Sequence, residues 1–229
     1  MKQHIPSLLT LGNLICGFAA IQYGDEDLAA KLILLSFVFD GLDGLAARAL
    51  NVASDFGRQL DSLADVVSFG VAPAYIYALL TPDPTNWMCK IVPWLIVIAG
   101  TIRLAYFNVS EPKNYFRGLP IPANALFYIG LIMAFKSGSE YFNDLYNSPT
   151  VYILTPILLS ALMLMFDVRM ISLKSMSKNW TENIYHYLIA LVSIILFVMY
   201  GYESIPFIVI SYVLISIVYT AQAFITEKS

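Results

Sequence analysis

Long apolar segments follow one another along almost the whole chain of 229 residues. Segments of about 17–25 apolar residues can cross a bilayer as helices, and only helices or closed barrels satisfy their backbone polar groups there. Such segments fall at 6–24, 28–50, 57–80, 91–109, 119–136, 150–166, 184–201 and 204–225. The sequence therefore predicts an all-α integral membrane protein, a polytopic helical bundle of about eight transmembrane helices.

Composition supports this class of protein. The chain is 59% hydrophobic and 13% charged, whereas soluble domains carry about 25% charged residues. No polar stretch is long enough for a separate soluble domain, so residues 1–229 are expected to form a single transmembrane domain. The two cysteines, Cys16 and Cys89, are predicted to be unpaired thiols, with Cys89 in a short connector between helices.

Basic residues are distributed unevenly between the two sides that eight alternating helices create. The side that holds the N-terminus contains Lys2, Arg48, Arg58, Arg103, Lys113, Arg117, Arg169, Lys174, Lys178 and Lys228. The other side contains only Lys31, Lys90 and Lys136. Because cytoplasmic loops carry an excess of lysine and arginine, this predicts cytoplasmic termini in the cell's inner (cytoplasmic) membrane.

Aspartates interrupt the second and third apolar segments. Asp40, Asp43, Asp61 and Asp65 belong to the pattern D-x-x-D-G-x-x-A-R-x8-G-x-x-x-D-x-x-x-D, which covers residues 40–65. An ionisable residue inside a membrane is costly and is by default a functional candidate. The charge distribution places these aspartates at the cytoplasmic ends of the two helices.

Helical geometry brings the residues of this pattern onto two faces. At 100° per residue, one face of about 140° on the second helix carries Asp40, Asp43, Gly44, Ala47 and Arg48. Gly57, Asp61 and Asp65 are spaced by four and form a stripe on the third helix. Two consecutive helices would then present two carboxylates each to a shared space. Facing anions in a low-dielectric setting require cations.

The kind of ligand indicates which cations. Oxygen-only ligands suit Mg²⁺, Mn²⁺ or Ca²⁺, and four carboxylates can hold two ions about 3.5–4 Å apart, an arrangement that clamps a phosphoryl group. Gly44 and Gly57 leave room for a bulky group close to the backbone. Arg48 provides a planar guanidinium that suits a phosphate.

Two alternatives use the same acids. A purely structural set of ion pairs would need basic partners, but only Arg48, Arg58 and Arg103 are near, and their spacing fits in part. An ion pathway, as in a metal-ion transporter, accounts for the acids. It does not account for the glycines, Ala47 or Arg48.

The complete pattern resembles the signature of the CDP-alcohol phosphotransferases, with every element at the expected spacing. The resemblance implies a helical membrane fold with a six-helix core, to which this chain would add two helices. It also implies an intramembrane cavity open to the cytoplasm, two divalent ions (Mg²⁺ or Mn²⁺) and a homodimer. The shared reaction displaces CMP from a CDP-linked lipid by an alcohol.

The same resemblance implies roles for single residues. Asp40, Asp43 and Asp61 would be metal ligands, and Asp65 would be both a ligand and the base that takes the proton of the acceptor hydroxyl. The residues that would hold the CDP moiety are Gly44, Ala47, Arg48 and Gly57. Ser54 is a candidate contact for cytosine, with a cap of the third helix as its alternative role. Asn13 is a candidate for the nucleotide or for a helix–helix hydrogen bond.

Further motifs resemble one branch of the family, the membrane-embedded phosphatidylserine synthases of bacteria and archaea. They are IPSLLTLGNLICG, SDFGRQLDSLADVVSFGVAPA, RLAYFNV and FRGLPIPANA, within residues 5–130. This resemblance implies CDP-diacylglycerol and L-serine as substrates. Arg103, Asn108 and Arg117 are the candidate serine-binding residues, although Arg103 could be a snorkelling anchor and Arg117 a loop charge. Glycerol 3-phosphate and inositol phosphate are the alternative acceptors.

Overall fold

The computed structural model describes residues 4–110, 115–137, 147–172 and 183–226. Within these residues, each of the eight predicted apolar segments is helical. The helices are α1 (Ile5–Tyr23), α2 (Glu26–Ala49), α3 (Asp55–Leu79), α4 (Trp87–Val109), α5 (Ile121–Lys136), α6 (Pro149–Leu164), α7 (Ile184–Tyr200) and α8 (Ile205–Thr226). A π-helical segment, Val66–Val71, lies inside α3, and a 3₁₀ turn, Gly201–Ser204, joins α7 to α8.

Several helices are long and apolar enough to cross a membrane. In the described part of the chain they are α1, α3, α4 and the segment Ile184–Ile225, which includes both α7 and α8. Helices α5 and α6 have 16 residues each, about 24 Å at 1.5 Å per residue, against about 30 Å of hydrocarbon. Helix α2 carries charged residues, among them Asp40 and Asp43. The protein is thus a helical membrane protein, while the number of eight transmembrane helices stays a prediction.

Local sequence explains where these helices begin. The side chains of Asp25, Ser54 and Asn86 accept backbone N–H bonds at the starts of α2, α3 and α4, which satisfies donors that have no partner within the helix. Pro122 lies in the first turn of α5, where the missing N–H costs nothing. The prolines near residue 120 therefore start this helix and do not interrupt it.

The first three helices pack closely and so position the acidic pattern. Helix α1 contacts both α2 and α3. A side chain at Gly17 of α1 would place its Cβ 2.6 Å from the Cα of Ser68 in α3. No larger residue fits this crossing, so glycine permits the close approach of the two backbones.

A short antiparallel ribbon joins two segments that are distant in sequence. Strand β1 (Tyr115–Arg117) pairs with β2 (Arg169–Ile171), with Phe116 opposite Met170. The all-α prediction did not include this ribbon. Directly after β1, Gly118 has φ of 68°, and a Cβ there would lie 2.3 Å from the carbonyl oxygen of Met163. The turn thus requires glycine.

Side chains of α8 cover the second edge of β2. The hydroxyl of Thr220 accepts from the N–H of Arg169 at 2.9 Å, and Ser216 accepts from the N–H of Ile171 at 3.3 Å. The hydroxyl of Tyr212 donates to the carbonyl oxygen of Ile171 at 3.0 Å. Residues four apart on one helix face thus satisfy backbone groups that would otherwise be unpaired in an apolar setting.

A tyrosine pair ties α3 to α6. The rings of Tyr77 and Tyr152 stack with centroids 4.4 Å apart. The Tyr77 hydroxyl donates to the carbonyl oxygen of Tyr152 at 2.8 Å, and the Tyr152 hydroxyl donates to that of Tyr77 at 3.0 Å. Both rings are buried, and their hydroxyl groups are satisfied inside the bundle.

Two of the three lysines assigned to the non-cytoplasmic side form ion pairs with acids. Lys136 at the end of α5 pairs with Glu26 at the start of α2 at 2.8 Å, and Lys31 pairs with Asp27 at 2.5 Å. The start of α2 and the end of α5 therefore lie together, as alternating helices require. Among the basic residues used for the orientation, Lys2, Lys113, Lys174, Lys178 and Lys228 lie outside the described residues.

The location predicted for Cys89 is wrong. This residue lies in the first turn of α4 and is 0% exposed. Both Cys16 and Cys89 are free thiols, and both are buried. The connector between α3 and α4 is shorter than the sequence suggested, because Asn86 caps α4 just before Trp87.

Candidate active site

Three aspartates from α2 and α3 converge. Asp40, Asp61 and Asp65 each offer a carboxylate oxygen, and these oxygens all lie within 4.8 Å of one another. Asp40 and Asp61 are half-buried, and Asp65 is 8% exposed. Such a group of carboxylates is costly in a membrane unless a cation lies among them. Its oxygen-only chemistry fits a hard divalent ion such as Mg²⁺ or Mn²⁺.

Asp43 lies outside this group of three. It is one turn along α2 from Asp40 and is 6% exposed. Its Oδ2 accepts a hydrogen bond of 2.6 Å from the hydroxyl of Thr10 in α1. The spacing predicted that the four aspartates would face one shared space, whereas Asp43 has Thr10 as a separate neighbour.

Asp65 also has a partner on α1. The side-chain Nδ2 of Asn13 donates to Asp65 Oδ1 at 3.1 Å. Of the two roles considered for Asn13, the structure therefore has the helix–helix hydrogen bond. The sequence signal for both contacts was a pair of polar residues, Thr10 and Asn13, within an otherwise apolar helix.

The residues predicted to hold CDP lie near the end of α2 and the start of α3. Gly44, Ala47 and Arg48 follow the aspartates along α2, and Gly57 is in the first turn of α3. A Cβ at Gly44 would meet no atom of the described residues within 4 Å. Packing among the described residues therefore does not explain a glycine at this position. A ligand that approaches the backbone there would explain it.

Ser54 has the capping role. Its hydroxyl oxygen accepts from the N–H of Gly57 at 3.1 Å, and its backbone is extended, as expected of a helix N-cap. The adjacent Asp55 pairs with Arg58 at 3.1 Å on the exposed surface. A contact of Ser54 with cytosine stays a prediction.

A cavity of about 490 Å³ adjoins the acidic group. Its polar lining consists of Asp40, Arg58, Asp61, Ser62, Asp65, Arg103, Asn108, Ser193 and Tyr212. The rest is apolar and includes Phe37, Leu126, Ile189 and Val209. The cavity can therefore receive a ligand that has both charged and apolar parts.

Arg103 is a buried cation within this cavity. It belongs to α4 and is 4% exposed, and its Nε has no hydrogen-bond partner among the described residues. A snorkelling arginine would extend its guanidinium toward water, whereas Arg103 lies inside the bundle. A buried guanidinium of this kind is available to an anionic ligand.

The other two candidate serine-binding residues differ in location. Asn108 lines the cavity, and its Nδ2 donates to the hydroxyl of Ser62 at 2.8 Å. Arg117 is in β1 and is not among the residues that line the cavity. Its guanidinium donates to the hydroxyl of Tyr106 at 2.7 Å. The structure thus brings Arg103 and Asn108 together with the acids, but not Arg117.

The C-terminal helices contribute residues that sequence reasoning missed. Ile189 and Ser193 of α7, and Val209 and Tyr212 of α8, line the cavity. No motif marks these residues, because they are ordinary components of apolar helices. Their location depends on how α8 packs against α5 and β2, and on how α7 packs against α8.

The fold and the site together define a class of protein. A bundle of apolar helices holds converging carboxylates beside a buried arginine, which is an arrangement suited to phosphate chemistry with divalent ions. The family model described as CDP-alcohol phosphatidyltransferase matches residues 3–166. The chain belongs to this family of transferase enzymes, and the resemblance drawn from the signature is confirmed.

Curated relatives are 40–43% identical to the chain over 126–133 aligned residues. A Bacillus subtilis protein is 43% identical over 126 residues, which cover 52% of this chain and 70% of that protein. A Methanocaldococcus jannaschii protein is 41% identical over 133 residues, covering 58% and 62%. A Helicobacter pylori protein is 40% identical over 131 residues, covering 54% and 55%. Each of the three is named CDP-diacylglycerol–serine O-phosphatidyltransferase.

Proposed function

We propose that the protein transfers a phosphatidyl group from CDP-diacylglycerol to L-serine, giving phosphatidylserine and CMP. The observation that carries this proposal is a shared cavity, in which Asp40, Asp61 and Asp65 lie together with the buried Arg103. Family membership supports the transfer from a CDP-linked alcohol. The names of the relatives support serine as the acceptor.

The reaction exchanges one phosphorus–oxygen bond for another. The hydroxyl oxygen of serine attacks the phosphorus that carries diacylglycerol, and the bond from this phosphorus to the bridging oxygen breaks. CMP leaves with the bridging oxygen. Asp65 takes the hydroxyl proton as general base. Its location at the cavity and its hydrogen bond from Asn13 support this role, since a base must be held within reach of the proton.

The carboxylates would also hold divalent ions. Asp40, Asp61 and Asp65 are the proposed ligands nearest to one another, and Asp43 is the proposed fourth ligand of a two-ion site. Bound Mg²⁺ or Mn²⁺ would neutralise the diphosphate and stabilise the departing CMP. Gly44, Ala47, Arg48 and Gly57 are proposed to receive the CDP moiety.

Arg103 is proposed to bind the carboxylate of serine. A carboxylate that enters a cavity lined by acids needs a dedicated cation, and a planar guanidinium fits it with two hydrogen bonds. Asn108 is proposed as a further hydrogen-bonding partner of serine. We leave Arg117 outside the acceptor site, because Tyr106 already accepts its hydrogen bond and it does not line the cavity.

We propose that the site faces the cytoplasm from the cytoplasmic membrane and that the protein acts as a homodimer. The distribution of lysine and arginine supports the orientation, and the family resemblance supports the dimer.

Cys89 is unsuitable as a thiol probe of orientation because it is buried. Pro84, which is exposed in the loop between α3 and α4, is a better position. Pro84→Cys should react with a membrane-impermeant reagent from outside the cell.

Acceptor-dependent release of CMP tests the proposal. The purified protein, with CDP-diacylglycerol and Mn²⁺, is supplied with L-serine, glycerol 3-phosphate, inositol phosphate or no acceptor. We expect CMP with serine and background release otherwise. Faster release with a phosphorylated acceptor would assign the protein to another branch, and no release with any acceptor would favour a metal-ion transporter.

A matched pair of variants links this release to the site. Asp61→Asn should abolish serine-dependent CMP release. Asp83→Asn changes an aspartate in the loop after α3, where its carboxylate accepts hydrogen bonds from the neighbouring Thr85 and Asn86. This control should retain full release. Equal loss in both variants would mean that the effect does not come from the acidic site.

A further inference from the structure

Two polar residues of α1 are buried at the acidic site although they are not part of the 40–65 pattern. Thr10 is 3% exposed and Asn13 is 0% exposed. They are three residues apart, so they lie on the same face of α1. Helix α1 contacts both α2 and α3, and further along this face Gly17 permits a close approach to Ser68 of α3. Each of the two polar side chains bonds to one aspartate.

Asn13 is bonded to both acid-bearing helices. Its side chain donates to Asp65 in α3 at 3.1 Å. Its backbone carbonyl oxygen accepts from the hydroxyl of Ser36 in α2 at 3.2 Å and from that of Ser68 in α3 at 2.9 Å. These hydroxyl bonds fix the backbone of Asn13 relative to α2 and α3. The amide is therefore held at a defined place opposite the Asp65 carboxylate.

The chemistry of the amide suits this place. An N–H group donates to an ionised carboxylate but carries no charge, so it orients the carboxylate without neutralising it. The Oδ1 of Asn13 is buried and has no hydrogen-bond partner among the described residues. A buried, unsatisfied amide oxygen opposes stability. Helix packing alone therefore does not explain an amide at this position. A role in orienting the Asp65 carboxylate does explain it.

Thr10 repeats the arrangement one turn earlier. Its hydroxyl lies 2.6 Å from Asp43 Oδ2 and 3.0 Å from the carbonyl oxygen of Pro6. The shorter distance to the carboxylate is typical of a charge-assisted hydrogen bond. One oxygen of Asp43 and one oxygen of Asp65 are thus engaged from the same face of α1.

We propose that Asn13 is a positioning residue for Asp65, and that Thr10 is one for Asp43. Helix α1 then forms an outer layer around the proposed metal site and fixes the orientation of these two carboxylates. Partners of this kind orient metal ligands, and their loss typically weakens metal binding about 10–100-fold. The inference rests on the carboxylate site of the proposed function, but it does not depend on serine as the acceptor.

Binding of Mn²⁺ to the purified protein, measured by electron paramagnetic resonance without substrate, tests the inference. Asn13→Leu has a similar size and cannot donate a hydrogen bond. It should bind Mn²⁺ about tenfold or more weakly, while thermal unfolding and dimensions in detergent stay those of the wild type. Asn13→Ala is a second variant, which removes the amide without adding a larger side chain. Both variants retain the backbone carbonyl that Ser36 and Ser68 contact. The same loss is expected from Asn13→Ala.

Two control variants separate orientation from packing. Ser36→Ala removes the longer of the two hydroxyl bonds to the carbonyl oxygen of Asn13, whereas the bond from Ser68 and the contact with Asp65 remain to hold the amide. It should bind Mn²⁺ within twofold of wild type. Thr10→Val should weaken binding. Thr155→Val should not, because Thr155 makes a comparable bond to the carbonyl four residues earlier in α6, away from the acids.

Three results would overturn the inference. Wild-type affinity in a folded Asn13→Leu or Asn13→Ala protein would mean that the amide does not position a ligand. Equal weakening in Ser36→Ala would mean that the effect is one of packing. A wild-type protein that binds no Mn²⁺ would contradict the metal site of the proposed function itself, which distinguishes that failure from the first two.

Discussion

Arg117 donates a hydrogen bond of 2.7 Å to the hydroxyl of Tyr106, and its guanidinium lies 6.0 Å from the centre of the Tyr106 ring. This contact holds the arginine of the FRGLPIPANA segment beside α4, and Arg117 itself is not among the residues that line the cavity. Arg103 lies three residues before Tyr106, on α4, and does line the cavity. Both arginines were candidate serine-binding residues, and their different locations now lead to different predictions for the two.

Substitution of lysine for each arginine distinguishes them. Arg103→Lys keeps the charge but loses the planar pair of donors. We expect a roughly tenfold rise in the KM for serine, about 1.4 kcal/mol, with little change in the KM for CDP-diacylglycerol. Arg117→Lys should change the KM for serine less than twofold. Steady-state kinetics with each substrate varied provide the measurement. A rise in the KM for serine with Arg117→Lys but not with Arg103→Lys would mean that Arg117 binds the carboxylate of serine.

Asp65→Asn tests the proposed base. The substituted side chain keeps the size of aspartate but cannot accept the acceptor proton. Removal of a general base typically lowers turnover about 10²–10⁴-fold. Binding of CDP-diacylglycerol, measured by calorimetry, should fall much less than kcat. Near-normal turnover in this variant is incompatible with the assigned role.

Gly44→Ala tests the space reserved for the nucleotide. At two glycines of α2, Gly41 and Gly44, an added Cβ would lie more than 4 Å from every neighbouring side chain in the described part of the chain. Alanine at either position should favour the helix by up to about 1 kcal/mol. Only Gly44 belongs to the pattern, so only Gly44→Ala should raise the KM for CDP-diacylglycerol. An equal effect of Gly41→Ala would show that the KM responds to the helix and not to a ligand beside Gly44.

Tyr212→Phe tests whether the C-terminal hairpin shapes the cavity. The Tyr212 hydroxyl bonds to Ile171, and both residues line the cavity. Loss of a buried hydrogen bond typically costs about 0.5–1.5 kcal/mol of stability. Tyr77→Phe loses a comparable bond to a backbone carbonyl, but outside this cavity. Both variants should lower the melting temperature by a similar amount, and Tyr212→Phe alone should raise the KM for serine. A rise in the KM for serine in both variants would mean that the loss of either hydrogen bond affects the whole bundle and not this cavity wall in particular.

Apolar periodicity was sufficient to predict the helices. All eight apolar segments contain a helix, and the ends differ from the expected ones by a few residues because caps such as Asn86 lie outside the apolar run. The spacing of the aspartates was sufficient to predict that α2 and α3 would present carboxylates to one shared space. Spacing could not distinguish Asp43 from the others, because that depends on Thr10 in a different helix.

Contacts between distant segments were beyond the reach of sequence patterns. The three-residue strands β1 and β2 are too short for a period of two to be recognised, and they pair across about fifty intervening residues. The role of Tyr212 and Val209 in the cavity wall depends on packing of apolar helices that carry no motif. Cys89 was misplaced because the apolar run does not mark the start of α4.

Transfer of labelled oxygen tests the central claim most directly. The protein is incubated with CDP-diacylglycerol, Mn²⁺ and L-serine that carries ¹⁸O in its hydroxyl group, and the products are examined by mass spectrometry. If serine attacks the phosphorus that carries diacylglycerol, all of the label appears in phosphatidylserine and none in CMP. Phosphatidic acid together with a labelled ester of CMP and serine would mean attack at the other phosphorus. Labelled serine that stays unreacted while CMP is released would contradict serine as the acceptor.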